Sequence, residues 1–249
     1  MATAFAPDET WNRNGLARLR GAPPLAEPTT TMARPITFDH VSQALALEDF
    51  DSNGARLRMA PRPRGWTKRD HPPSPAAVLI LIFAADDDGR LNIVLTLRNA
   101  DLRGHSGQVS FPGGRREAQD KNLTETARRE TCEEIGICGD QLSIMGRLPR
   151  FFIPASHHDV RPVIARCDGA LAFKPKPDEV VEVFAVALED LLQPRYKFVE
   201  QRLMRGVNVH VPYYDVAGHK VWGATAMLLS ELEGRLRRVL GTSADVALT

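Results

Sequence analysis

The sequence predicts an α/β/α sandwich, with a mixed β-sheet between helices, and three observations carry that prediction. A continuous apolar run at 76–85 reads as a strand covered on both faces. Strand-like segments recur on either side of one strongly acidic helix that stops at Gly136. A long helix closes the chain, with Leu228, Leu232, Leu236 and Val239 in a stripe against Glu231, Arg235 and Arg238. Strands, helix, strands, helix is the order of a sheet held between helical layers.

Composition narrows the class of function. The 249 residues are 43% hydrophobic and 25% charged, ordinary for a soluble globular protein. A formal net charge of +1 gives no global pull toward nucleic acid or membrane, so any affinity for a polyanion must be local. No apolar run approaches the roughly 20 residues that a membrane helix needs. Cys132, Cys138 and Cys167 are an odd number without a CxxC spacing. They read as reduced thiols in a cytoplasmic protein, neither a disulfide framework nor a zinc site.

Taken in order, residues 1–34 are rich in Pro, Thr, Ala and Gly and read as a flexible tail. Residues 35–75 form a lead-in. In it Thr37 or Asp39 caps a short helix with Val41, Leu45 and Leu47 on one face. A basic cluster follows at 56–69, including Arg56, Arg58, Arg62, Arg64, Lys68 and Arg69. Pro61 and Pro63 break it and Trp66 is its lone aromatic, so it reads as a solvated linker and not a stacking platform for nucleic acid. The folded body spans 76–240. After the first strand, Asp86-Asp87-Asp88-Gly89 is hairpin-turn chemistry, and Leu91, Ile93, Leu95 and Leu97 alternate with Asn92, Val94 and Thr96 on the return. The polar, glycine-broken loop at 98–108 leads into Val109-Ser110-Phe111, which breaks at Pro112-Gly113-Gly114. Its backbone amides and arginines suit phosphate. Segments 142–148, 161–167, 180–187 and 207–214 read as strands; His157 and His158 lie in a loop. Residues 241–249 form a C-terminal tail.

On the acidic helix Glu130, Glu133 and Glu134 stand at i, i+3 and i+4, on about 100° of arc. Like charges so placed repel, and a cation between them removes that penalty. Taken alone, a solvated acidic face is an equal reading. Oxygen-only ligands suit Mg²⁺ or Mn²⁺, hard ions that keep waters and bridge to phosphate.

The run from Val109 to Ile137 resembles the Nudix box, G-x5-E-x7-R-E-U-x-E-E-x-G-U. Arg129-Glu130-Thr131-Cys132-Glu133-Glu134-Ile135-Gly136-Ile137 matches its second half, with Thr131 where an aliphatic residue is usual. The first half departs: Asp120 stands where the box has Glu, and the gap to Arg129 is one residue longer. Both departures are similar to the coenzyme A diphosphatase branch of the Nudix hydrolases. That branch carries L-L-T-x-R-S upstream, followed by spaced R, G and F-P-G-G. Here Val94-Leu95-Thr96-Leu97-Arg98-Asn99 precedes Arg103, Gly107 and Phe111-Pro112-Gly113-Gly114. Downstream, segments from Asp178 and from His219 are similar to the branch, so the resemblance covers roughly 36–240.

The resemblance implies a Nudix-type sandwich that cleaves the diphosphate of CoA, a small-molecule partner, with Mg²⁺ or Mn²⁺. It implies Glu130 and Glu134 as principal metal ligands, Glu133 as a further one, and the Gly113 carbonyl as a neutral one. Arg129 orients a carboxylate, and Glu179 or Glu182 is the candidate general base outside the box. Arg98, Arg103, Gly107, Phe111 and Gly114, with Lys174 or Lys176, are the candidate substrate contacts. Two other readings compete: a Nudix hydrolase acting on ADP-ribose, NADH or a nucleoside triphosphate, and a non-catalytic Nudix fold that binds a nucleotide as a regulator. The second would have lost box acids, and here they are all present. The sequence leaves the oligomeric state open, a homodimer being one option.

Overall fold

The computed structural model describes residues 35–63, 70–85, 87–100, 107–168, 171–204 and 206–242. The predicted N-terminal tail and residues 243–249 of the C-terminal one, together with Arg64, Trp66, Lys68, Arg69, Asp86 and Arg103, therefore lie outside the described residues.

The apolar run becomes β1 (Ser74–Ala84), which pairs in parallel with β7 (His158–Cys167), Leu79 opposite Val163. Side chains alternate across a strand. Ile80 and Ile82 of β1 therefore enter one apolar core, and Leu79 and Leu81 enter another on the opposite face. Strand β2 (Leu91–Arg98) returns antiparallel to β1. It also pairs with β3 (Val109–Ser110) and with β8 (Val180–Ala187). Beyond Pro112 the chain resumes as β4 (Gly113–Arg115), Gly113 opposite Val78 of β1. The far edge is β5 (Leu142–Arg147), antiparallel to β7, and β6 (Phe151–Ile153) also pairs with β7. One parallel pair among antiparallel ones makes the sheet mixed, as predicted.

Helix α3 (Leu123–Ile135) covers one face, with Ala127 and Ile135 against Leu79, Leu81 and Val94. Helices α1 (Phe38–Leu45), α2 (Ser52–Arg58) and α5 (Gly223–Leu240) cover the other. The lead-in therefore belongs to the same core as the body, contributing Ile36, Val41, Ala44 and Met59. Thr37 caps α1 as expected. A short helix α4 (Leu188–Leu191) follows β8. A second sheet of β9 (Lys197–Met204), β10 (Val207–Val216) and β11 (His219–Trp222) is antiparallel throughout. No helix of the described residues is long and apolar enough to cross a membrane.

Three expectations need correction. First, part of the basic segment is helical and buried. Arg56 lies on α2 and donates from Nε to Glu231 Oε2 at 2.6 Å, and its other nitrogens reach the carbonyls of Pro149 and Arg150. Second, the charged side of α5 is buried at Glu231 and Arg235, although Arg238 is exposed. Glu231 is fully buried between Arg56 and Arg235, while Glu233 accepts from Lys197 Nζ at 2.6 Å and from the Tyr214 hydroxyl at 2.8 Å. Third, Cys132 and Cys138 are joined by a disulfide, with Cys167 buried and free. The loop they close holds Gly136, the left-handed C-cap of α3 (φ 75°), so the bond ties the end of the acidic helix to the chain that leaves it. Cysteine count therefore does not point to a reducing compartment. Thiol counting in denaturant is expected to give one thiol per chain before reduction and three after it. Reduction should lower stability by about 2 kcal/mol, as expected for so short a closed loop.

Candidate active site

The acidic helix starts where Asn122 caps it, its side-chain oxygen accepting from the amides of Thr124 and Glu125 at 2.9 and 3.1 Å. Thr131, the unusual residue of its motif, is fully buried and donates its hydroxyl to the Ala127 carbonyl one turn back at 2.7 Å, so the polar group is satisfied within the helix. The carbonyls left open at the C-terminal end are met by a passing segment. Lys174 N–H donates to Ile135 O and Lys176 N–H to Glu134 O, at 2.8 and 2.9 Å.

The loop before α3 is organised by Asp120. Its carboxylate is 5% exposed and accepts from Arg129 twice, Nε at 3.0 Å and Nη2 at 3.1 Å, and from the Thr126 hydroxyl and the Glu117 amide at 2.9 Å each. Arg129 holds the carboxyl well below the usual range, at about 2. An aspartate is one methylene shorter than the glutamate usual here, and in this loop it still closes a bidentate pair with Arg129. From that anchor Arg129 reaches Glu130 at 3.0 Å and Glu133 at 3.1 Å, so it faces the carboxylates it was expected to orient.

Glu134 is 1% exposed. Its Oε1 lies 3.1 Å from Arg98 Nη1, at the end of β2, and its Oε2 accepts from the Gly113 amide at 3.2 Å. Burial pushes its carboxyl up to about 7 against the pull of Arg98 and Gly113. Glu130 is raised by burial as well. Gly114 makes room for it: a Cβ there would meet the Glu130 carboxylate carbon at 2.5 Å and Oε2 at 2.8 Å. Gly114→Ala should therefore displace Glu130 and weaken divalent-ion binding at least tenfold with little loss of stability, because the clashing atoms end a flexible side chain. Calorimetric titration with Mn²⁺ checks this. At Gly113 (φ 155°) a Cβ would instead strike the β1 backbone, at 2.6 Å from Val78 Cα, and no side chain can yield.

Glu179 completes the cluster, its charge adding to the rise at both Glu130 and Glu134 while Lys176 Nζ holds its Oε1 at 2.5 Å. Glu182 is not brought to this cluster. It pairs with His219 at 3.2 Å, and His219 stacks on Phe184, a residue of the core beneath α5. Phe111, an expected substrate contact, is a core residue, 3% exposed. Gly107 is exposed with φ 63°, next to Gln108, whose carbonyl accepts from Arg98 N. Asp120 is the residue whose weight the sequence concealed, because it first reads as a mismatch.

A NUDIX domain model matches residues 73–206, more than half of the chain. The chain belongs to the Nudix family. It is 34% identical over 191 residues to the uncharacterized Nudix hydrolase NudL of Pectobacterium atrosepticum, covering 76% of this chain and 94% of that one. It is 39% identical over 165 residues to Nudix hydrolase 15, mitochondrial, of Arabidopsis thaliana, covering 63% of this chain and 56% of that one. A crystal structure of the M. smegmatis Nudix hydrolase RenU aligns over 73% of this chain and 98% of its own, at 19% identity and a TM-score of 0.48. As a Nudix hydrolase the protein acts on nucleoside diphosphate derivatives, and the family generally uses divalent metal ions.

The residues present fit such an ion. Two carboxylates one turn apart face the Gly113–Gly114 backbone, and burial keeps the inner one raised even with Arg98 beside it. The donor set is oxygen only, which suits a hard cation. Among the described residues no three such groups converge closely enough to hold a metal, and Arg98 and Arg129 engage the carboxylates.

Proposed function

We propose that this Nudix hydrolase cleaves the diphosphate of coenzyme A or a derivative of it, giving 3′,5′-ADP and 4′-phosphopantetheine or its acylated form. One observation carries the reading. Arg98, from the segment similar to the CoA branch, meets Glu134 of the Nudix box at 3.1 Å, so the two motifs share one site. The bidentate pair of Asp120 with Arg129 supports it, because both departures from the common box resolve into one working contact.

Glu130, Glu134 and Glu133, with the Gly113 carbonyl, would hold Mg²⁺ or Mn²⁺, which when bound neutralises the diphosphate and acidifies a water. The chain's own residues do the rest. Asp120 fixes Arg129, and Arg129 fixes the rotamers of Glu130 and Glu133. Arg98 is the counter-ion of Glu134 and a fork suited to a phosphate oxygen once Glu134 turns to the metal. Glu179 is the candidate base, freed when Lys176 turns to an anionic ligand; Arg103 and Lys174 are further phosphate contacts.

The test is incubation of pure protein and Mg²⁺ or Mn²⁺ with CoA, an acyl-CoA, ADP-ribose, NADH and dATP, products being resolved chromatographically. CoA or its acyl form should be cleaved fastest, to 3′,5′-ADP. Cleavage of ADP-ribose or NADH with CoA untouched would move the protein to another Nudix branch, and no cleavage of any would favour a binding role.

A further inference from the structure

A second basic cluster lies at the β5 edge of the sheet, outside the carboxylate cluster of the acidic helix. A cavity of about 440 Å³ opens between the turn after α1 and the β5–β6 connection, with Arg147, Arg161, Arg235, Phe50, Leu45 and Leu148 in its wall. That volume is within the range of small-molecule pockets. Positive charge around it exceeds negative. Arg56 and Arg235, both buried, share the single carboxylate of Glu231. Arg150 is matched by Asp159. Arg147 and Arg161 have no carboxylate within ion-pair distance among the described residues; Arg147 donates to the Thr124 hydroxyl at 3.0 Å and Arg161 to the Leu148 carbonyl at 3.3 Å. Each guanidinium has five N–H donors, so most of theirs remain available. Arg161 is depressed below its usual pKa, first by burial and then by the charges of Arg150 and Arg147.

We propose that this cavity binds a phosphate-bearing anion at Arg147 and Arg161, as a site separate from the diphosphate-cleaving one. Two forked cations, neither paired with the Glu48 carboxylate that also lines the cavity, suit the several oxygens of a phosphate dianion. The apolar wall of Phe50, Leu45 and Leu148 gives room for an organic body attached to it. Arg147 also touches the first turn of α3 through Thr124, so the occupant sits one side chain from the acidic helix.

Calorimetric titration of the full chain in EDTA, with inorganic phosphate and separately with phenyl phosphate, tests this. EDTA removes any metal that would draw phosphate to the acidic helix. Binding is expected for the wild type and for Arg98→Met. In Arg147→Gln combined with Arg161→Gln it should weaken at least tenfold. Tighter binding of phenyl phosphate assigns the site to a phosphomonoester, and equal binding assigns it to free phosphate. Arg147→Gln alone, at an exposed side chain, should still cost several-fold if the double variant does not fold. Absence of binding in the wild type, or loss in Arg98→Met with none in the Arg147 and Arg161 variants, overturns the proposal.

Discussion

Glu134→Gln is expected to lower kcat on a nucleoside diphosphate derivative by about a thousandfold or more, a loss of about 4 kcal/mol in transition-state stabilisation. The substitution keeps size and shape but removes the charge that a cation would meet at the buried end of the cluster. Stability should hold. Burial raises the Glu134 carboxyl to about 7 in the fold, above its unfolded value, so its ionisation costs stability progressively as pH rises from the unfolded pKa to about 7. A neutral amide removes that cost, and the melting temperature at pH 8 should be unchanged or higher without metal. An activity loss below tenfold, measured beside an intact circular dichroism spectrum, would take Glu134 out of metal coordination.

Asp120→Ala is expected to destabilise the fold by about 3 kcal/mol, the scale for breaking a buried ion pair and leaving one partner uncompensated. Four donors lose their acceptor at once: two from Arg129, the Thr126 hydroxyl and the Glu117 amide. Urea denaturation measures the change. Because Asp120 is held at about 2 in the fold, below its unfolded value, its contribution is full above the unfolded pKa and is lost as pH falls through about 2. The stability difference between wild type and variant should therefore shrink below about pH 4. Activity should fall as well, since Arg129 no longer fixes Glu130 and Glu133. A variant within about 1 kcal/mol of wild type, still active, would show that Asp120 is incidental.

The elements with a strong apolar signature were legible from residues alone. Strand β1, buried on both faces, reads as an unbroken apolar run, and α3 ends at the glycine that must take φ 75°. Strand β9 was not legible, because the small sheet leaves Phe198, Leu203 and Val207 exposed and no clean alternation survives. Helix α2 escaped because Arg56 and Arg58, ahead of Pro61 and Pro63, read as part of a solvated linker. Only the fold brings Glu231, 175 residues away, onto Arg56. The same holds for the site. Glu130, Glu133, Glu134 and Arg129 share a helix, so spacing places them. Glu179 and Glu182, by contrast, lie just before and within β8, and residue type does not encode that one meets Lys176 and the other His219. The disulfide was hidden for a related reason: a spacing of six becomes a contact only when the chain turns back at Gly136.

The proposed metal-dependent cut in the diphosphate of CoA is tested by ³¹P NMR of CoA with the protein, recorded without metal, with Mg²⁺, and again after EDTA. The diphosphate resonances should persist without metal, give way to phosphomonoester resonances with Mg²⁺, and stop changing on chelation. Diphosphate resonances that survive Mg²⁺ and Mn²⁺ with folded protein, or cleavage that proceeds in EDTA, would contradict it.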